Sequence, residues 1–145
     1  MTSPPPILLV EDNDDDVELM LRALRGVAHR DRIVRVPDGV DALDYLFARG
    51  AHAGRALEPL PSIVFLDLRL PRLDGIDVLT QLRADARTAV LPVVMLTTSM
   101  EHRDRLAAYQ QRVNSYVQKP VDYDEFVKLV RSLVHYWTEI NVAPP

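Results

Sequence analysis

Five short β-like runs, most of them wholly apolar, alternate with stretches of helical periodicity, and no other feature of the chain restricts its fold so strongly. The runs are Ile7-Leu8-Leu9-Val10, Ile33-Val34-Arg35-Val36, Ile63-Val64-Phe65-Leu66, Val93-Val94-Met95-Leu96 and the shorter Ser115-Tyr116-Val117. Runs apolar at every position suit strands buried on both faces, which means a parallel sheet covered by helices. Between them, Val17, Met20, Leu21 and Leu24 recur at helical spacing before Gly26. Val40, Leu43, Leu46 and Phe47 repeat the pattern up to Gly50, and Ile76, Leu79, Leu82 and Arg83 follow Asp74-Gly75. Leu106, Ala107 and Tyr109 follow Ser99, which reads as an N-cap. Asp122 with Glu125 reads as a capping box opening a last helix, whose stripe is Phe126, Leu129, Val130, Leu133, Val134 and Trp137. Strict alternation of strand and helix predicts a doubly wound α/β sheet with right-handed crossovers.

Size bounds this further. A βα unit takes roughly 25 residues with its loops, so five units take about 125. The chain has 145. The surplus falls mainly in the link Arg49–Ser62 and the tail Thr138–Pro145, with Met1–Pro6 as a short leader. We therefore expect one domain over 1–145, with its core at about 7–140 and no output domain. At 48% hydrophobic and 26% charged, the composition is that of a globular protein, neither disordered nor membrane-spanning. The leader lacks the basic start and apolar stretch of a signal peptide. Cysteine is absent, which excludes disulfides, thiolate metal sites and a thiol nucleophile, and fits the cytoplasm. A net charge of -4 gives no broad pull towards nucleic acid.

Ligands of an open α/β sheet bind beyond the carboxyl ends of its strands. Glu11 and Asp12 follow the first run, Asp67 the third, Thr97 and Thr98 the fourth, and Lys119-Pro120 the fifth. Three carboxylates, a hydroxyl and an ammonium thus map to one rim. Clustered carboxylates suit a hard divalent cation such as Mg²⁺. Asp67 could bind that cation through one oxygen and attack a phosphoryl group through the other, giving an aspartyl-phosphate. Lys119 and the Thr97 hydroxyl could hold phosphoryl oxygens. The remaining acids Asp14, Asp15, Asp16 and Glu18 read as a solvated helix start favoured by the helix dipole. His29, His52, His102 and His135 show no metal-ligand spacing and read as surface residues.

The segments ILLVEDNDDD, VFLDLRLPRLDG, VVMLTTS and YVQKP resemble the receiver domain of two-component response regulators, from about Ile7 to Trp137. The resemblance implies the flavodoxin-like strand order 2-1-3-4-5, phosphorylation by a sensor histidine kinase, and dependence on Mg²⁺ or Mn²⁺. It implies Asp67 as phospho-acceptor, Glu11 and Asp12 as the acidic metal pair, and Arg69 as a metal ligand through its backbone carbonyl. Thr97 matches the hydroxyl that contacts the phosphoryl group, Lys119 the conserved-type lysine, and Tyr116 the switch aromatic. Pro120 matches a proline whose preceding peptide is typically cis. Thr98 and Arg69 are less usual residues at their positions, and both could alter dephosphorylation by screening the attacking water. The long link and the ending Val134–Ile140 resemble single-domain regulators paired with phytochrome-type light-sensing kinases.

The reading is a receiver that catalyses its own phosphotransfer and dephosphorylation without being an enzyme for an outside substrate, and that signals to a protein partner. An aspartyl phosphohydrolase would need an acid where Arg69 stands. A flavin carrier would need a phosphate loop where the acidic cluster stands. An interaction module without phosphorylation would not need the constellation. Val127, Tyr136 and Ile140 fall off the main stripe of the last helix, so a homodimer through the fourth helix, fifth strand and fifth helix is expected.

Overall fold

The computed structural model describes residues 4–145; the first residues of the leader, Met1–Ser3, lie outside the described residues. Strands β1 (Ile7–Val10), β2 (Ile33–Val36), β3 (Ile63–Leu66), β4 (Val93–Thr97) and β5 (Ser115–Gln118) alternate with helices α1 (Asp14–Leu24), α2 (Gly39–Leu46), α3 (Gly75–Ala84), α4 (His102–Gln110) and α5 (Tyr123–His135). All pairings are parallel and the order is β2-β1-β3-β4-β5. The acidic, central and hydroxyl-bearing runs therefore become neighbouring strands.

The alternation of side chains along each strand makes two cores. Leu8, Val10, Val64, Leu66, Val93 and Met95 face α2 and α3, with Ala108 of α4. Ile7, Leu9, Ile63, Phe65, Val94 and Leu96 face α1 and α5. The expected α5 stripe packs there, and Val127 joins it as a partly buried neighbour. Tyr136 and Ile140 stay exposed. Helix α5 runs on into a π-helical turn, Tyr136–Ile140.

Helix starts follow their caps. Asn13, Asp38, Asp74 and Asp122 each accept the N–H of the third residue on. The capping expectation fails at α4. Glu101, not Ser99, occupies its N-cap position. The Ser99 hydroxyl instead donates to Asp104 at 2.7 Å while accepting the Glu101 N–H. The α4 face also differs: Asp104 and Ala108 are buried, whereas Leu106 and Tyr109 are about half exposed. Helix α2 ends at Leu46, ahead of the expected stop at Gly50.

The link 49–62 folds back on α2. Arg55 donates to the Tyr45 carbonyl and lies 4.2 Å over its ring. His52, expected at the surface, is half-buried and 2.8 Å from Asp41 Oδ1. At the rim opposite the acidic cluster, the buried Arg83 guanidinium donates to the carbonyls of Ala89, Leu91 and Arg112 and to Asn114 Oδ1. Asn114 Oδ1 also accepts the Val93 N–H at 2.7 Å, tying down the start of β4.

Candidate functional site

The last rungs of the sheet set the site. Glu11 N–H donates to Val36 O at 3.1 Å, Asp67 N–H to Val10 O at 3.1 Å, and Lys119 N–H to Thr97 O at 2.8 Å. Each candidate side chain thus leaves from backbone registered to the neighbouring strand. Gly75 fixes the other wall. It donates to the Leu68 carbonyl at 2.8 Å, and a Cβ there would overlap the Asp67 carbonyl. Only glycine lets α3 start this close to Asp67.

Glu11, Asp12 and Asp67 each present a carboxylate oxygen within 4.8 Å of the others. Glu11 is buried, Asp67 half-buried and Asp12 exposed, so the cluster opens to solvent on one side. Lys119 Nζ enters it, 2.7 Å from Glu11 Oε2 and 3.5 Å from Asp67 Oδ2. Glu11 Oε1 accepts the Asn13 N–H and Asp67 Oδ1 accepts the Leu68 N–H.

One ammonium does not balance this much negative charge. Burial, followed by the Asp67 charge, pushes the Glu11 carboxyl up to about 7. Burial likewise raises Asp67 against the lowering pull of Lys119. Burial alone would lower Lys119, but its hydrogen bonds to Asp16 and Glu11 outweigh that and raise it. Lys119 is therefore a fixed cation. An all-oxygen donor set with surplus negative charge fits a hard divalent ion.

Asp16 belongs to this site, contrary to its reading as a solvated acid. Its Oδ2 lies 2.8 Å from Lys119 Nζ. The Asn13 cap places it, since Asn13 Oδ1 accepts the Asp16 N–H at 3.0 Å. Its partner is 103 positions away in the chain, and nothing local distinguishes it from Asp14 and Asp15.

Thr97 is buried at the tip of β4, and its Oγ1 accepts the Ser99 N–H at 3.1 Å. Thr98 is exposed. The partly buried Tyr116 donates its hydroxyl to Ser99 O at 2.9 Å. The Arg69 side chain turns to Asp104 Oδ2, at 2.8 Å. The expectation for Pro120 is not met. The cis X–Pro bond among the described residues is Glu58-Pro59, and Lys119–Pro120 is trans. Trans is the intrinsically favoured isomer. With it, Lys119 already bonds Thr97 through its backbone and reaches the acidic pocket through its side chain.

The model of the response regulator receiver domain matches residues 7–131. The chain belongs to that family. This receiver domain is 41% identical over 138 residues to "Probable methanogenesis regulatory protein FilR2" of Methanothrix harundinacea, covering 95% of this chain and 86% of that one. It is 32% identical to response regulator Rcp1 of Synechocystis, covering 97% of this chain and 94% of Rcp1. The crystal structure of Mn(2+)-bound Rcp1 superposes with a TM-score of 0.88 over 98% of this receiver and 100% of that chain. The phosphorylated cyanobacterial phytochrome response regulator RcpA, 31% identical, gives a TM-score of 0.88 over 99% and 100% of the two chains. The fold expectation, including the strand order implied by the resemblance, agrees with these neighbours.

Proposed function

We propose that this receiver accepts a phosphoryl group from the phosphohistidine of a sensor histidine kinase onto Asp67. The observation that carries the reading is Asp67 at the end of the central strand, with Lys119 Nζ 3.5 Å away and Glu11 and Asp12 beside it. An Asp67 carboxylate oxygen forms the bond to phosphorus, the phosphorus–nitrogen bond breaks, and the kinase imidazole leaves. Lys119 pairs with a phosphoryl oxygen and the Thr97 hydroxyl donates to another. Glu11, Asp12, Asp67 and the Arg69 carbonyl would hold Mg²⁺ or Mn²⁺, in keeping with the Mn(2+)-bound form of Rcp1. Bound there, the ion offsets the repulsion between carboxylate and phosphoryl oxygens. Later attack by water on phosphorus breaks the bond to Asp67 and releases inorganic phosphate, so the domain resets itself.

Thr97 and Tyr116 carry the change outward, because both are bonded to Ser99 at the entrance to α4. This is a population shift driven by new charge-assisted hydrogen bonds. We read the chain as a cytoplasmic regulator whose signal leaves through a protein partner. No helix among the described residues is long and apolar enough to cross a membrane. The likeness to RcpA favours a phytochrome-type kinase as donor. Incubation with labelled phospho-kinase and Mg²⁺ should label the protein about stoichiometrically. Asp67→Asn should abolish the labelling, and retained labelling would refute the assignment.

We also propose a homodimer through α4, β5 and α5, supported by the exposed Leu106 and Tyr109 on α4 and Tyr136 and Ile140 in the turn after α5. Sedimentation should find a dimer at micromolar concentration, more populated after phosphorylation. A monomer in both states at high micromolar concentration would overturn it.

A further inference from the structure

Asp104 is a buried carboxylate outside the acidic pocket, and phosphoryl chemistry at Asp67 does not use it. Its Oδ2 carries two strong donors, Arg69 at 2.8 Å and the Ser99 hydroxyl at 2.7 Å. Ser99 is in turn bonded to Thr97 through its N–H and to Tyr116 through its carbonyl. One carboxylate on α4 thereby ties together the loop after β3, the loop after β4 and, through Ser99, β5. The two partners differ in freedom: the Arg69 side chain is 60% exposed and the Asp104 side chain 11%. The arginine is an arm over a buried anchor.

Arg69 stands two residues after Asp67. Lys119 is already shared among Glu11, Asp16 and Asp67. A phosphoryl dianion arriving there adds negative charge that a second side-chain cation can help offset, beside Lys119 and the divalent ion the pocket would hold. A guanidinium grips phosphoryl oxygens as a planar fork, with more bonds than its single contact to Asp104. Asp104 stays partly compensated when it releases the arginine. It lies in the first turn of α4, where the helix dipole favours an anion, and it keeps the Ser99 hydroxyl.

We propose that Asp104 and a phosphoryl group on Asp67 compete for the Arg69 guanidinium. Asp104 is thus a positioning residue that holds Arg69 off the acidic pocket until the phosphoryl group arrives, and the capture of Arg69 loosens the Ser99 loop and the start of α4. The inference rests on Asp67 as acceptor and adds a second route to α4, which starts at Arg69 and meets that of Thr97 and Tyr116 at Ser99.

The test is a double-mutant cycle read by binding of beryllofluoride, a phosphoryl analogue that adds to an aspartate carboxylate, in excess Mg²⁺. Arg69→Ala should weaken binding about tenfold, and Arg69→Lys should recover part of it. Asp104→Asn should tighten binding about fivefold in the native background and change it less than about twofold in Arg69→Ala. A merely structural Asp104 would shift binding equally in both backgrounds, and that result overturns the proposal. Arg69 is exposed enough for its variants to fold, so unchanged affinity in Arg69→Ala overturns it whatever Asp104 variants do. Analogue that binds Asp67→Asn as well as the native chain, or does not bind the native chain at all, overturns the acceptor reading and this inference with it.

Discussion

At the scale of single residues, the site is governed by a shortage of positive charge. Glu11 shows the consequence, because its carboxyl is raised from 4.5 to about 7. Between those values the folded chain holds a proton that the unfolded chain has released. Unfolding free energy therefore falls as pH rises through that window, at about 1.4 kcal/mol per unit and to a limit of roughly 3 kcal/mol. The penalty is absent below about 4.5 and complete above about 7. Chemical denaturation of metal-free protein between pH 5 and pH 7.5 should show this decline, and Glu11→Gln should flatten it. A native profile that rises instead would contradict the charge balance. The three acids at the strand ends were legible in the sequence, since polar residues closing apolar runs have few other uses. Asp16 was not. Its chemistry comes from Lys119, which only the fold brings near, and in sequence it is one acid of a run. Asp104 was hidden for the same reason: its partners lie on two loops whose proximity needs the β3-β4 pairing.

At the scale of elements, the strands were the most readable part. The three central strands β1, β3 and β4 are buried on both faces and their apolar runs mark them within a residue, while the edge strands β2 and β5 carry polar residues and are partly exposed. Helix α4 was the least readable. It carries few apolar residues, its buried positions are an acid and an alanine, and its larger apolar side chains face outward. Asp104 is held by polar contacts, which hydrophobic periodicity does not register. The Pro120 expectation came from the resemblance alone and is not met: Lys119–Pro120 is trans, the intrinsically favoured isomer. Helix α3 carries the sharpest element-level prediction. Gly75→Ala would press a methyl group into the Asp67 carbonyl. We expect a loss of about 1–3 kcal/mol as α3 backs away, together with slower phosphotransfer, because the backbone of the acceptor moves with it. Thermal melts and a transfer time course check both, and an unchanged transfer rate would separate α3 from the site.

At the scale of the whole molecule, the domain should be stabilised by the ion its acidic pocket fits. A ligand at about one hundred times its dissociation constant adds about 2.7 kcal/mol. In a domain of this size that corresponds to roughly 5–10 °C in melting temperature. Differential scanning fluorimetry with excess Mg²⁺ should show such a rise, a chelator should reverse it, and Asp12→Asn should diminish it. The two ends of the sheet are also held differently. At one rim Arg83 and Asn114 clamp the approach to β4, through the Leu91 carbonyl and the Val93 N–H. At the other, Thr97 is linked by its hydroxyl to Ser99, on the loop leading to α4. Strand β4 is thus held at its root by the Arg83 and Asn114 clamp and along its length by β3 and β5. At the reacting end the bond from Thr97 to Ser99 reaches beyond the sheet, so the foot of the strand has no comparable path to α4.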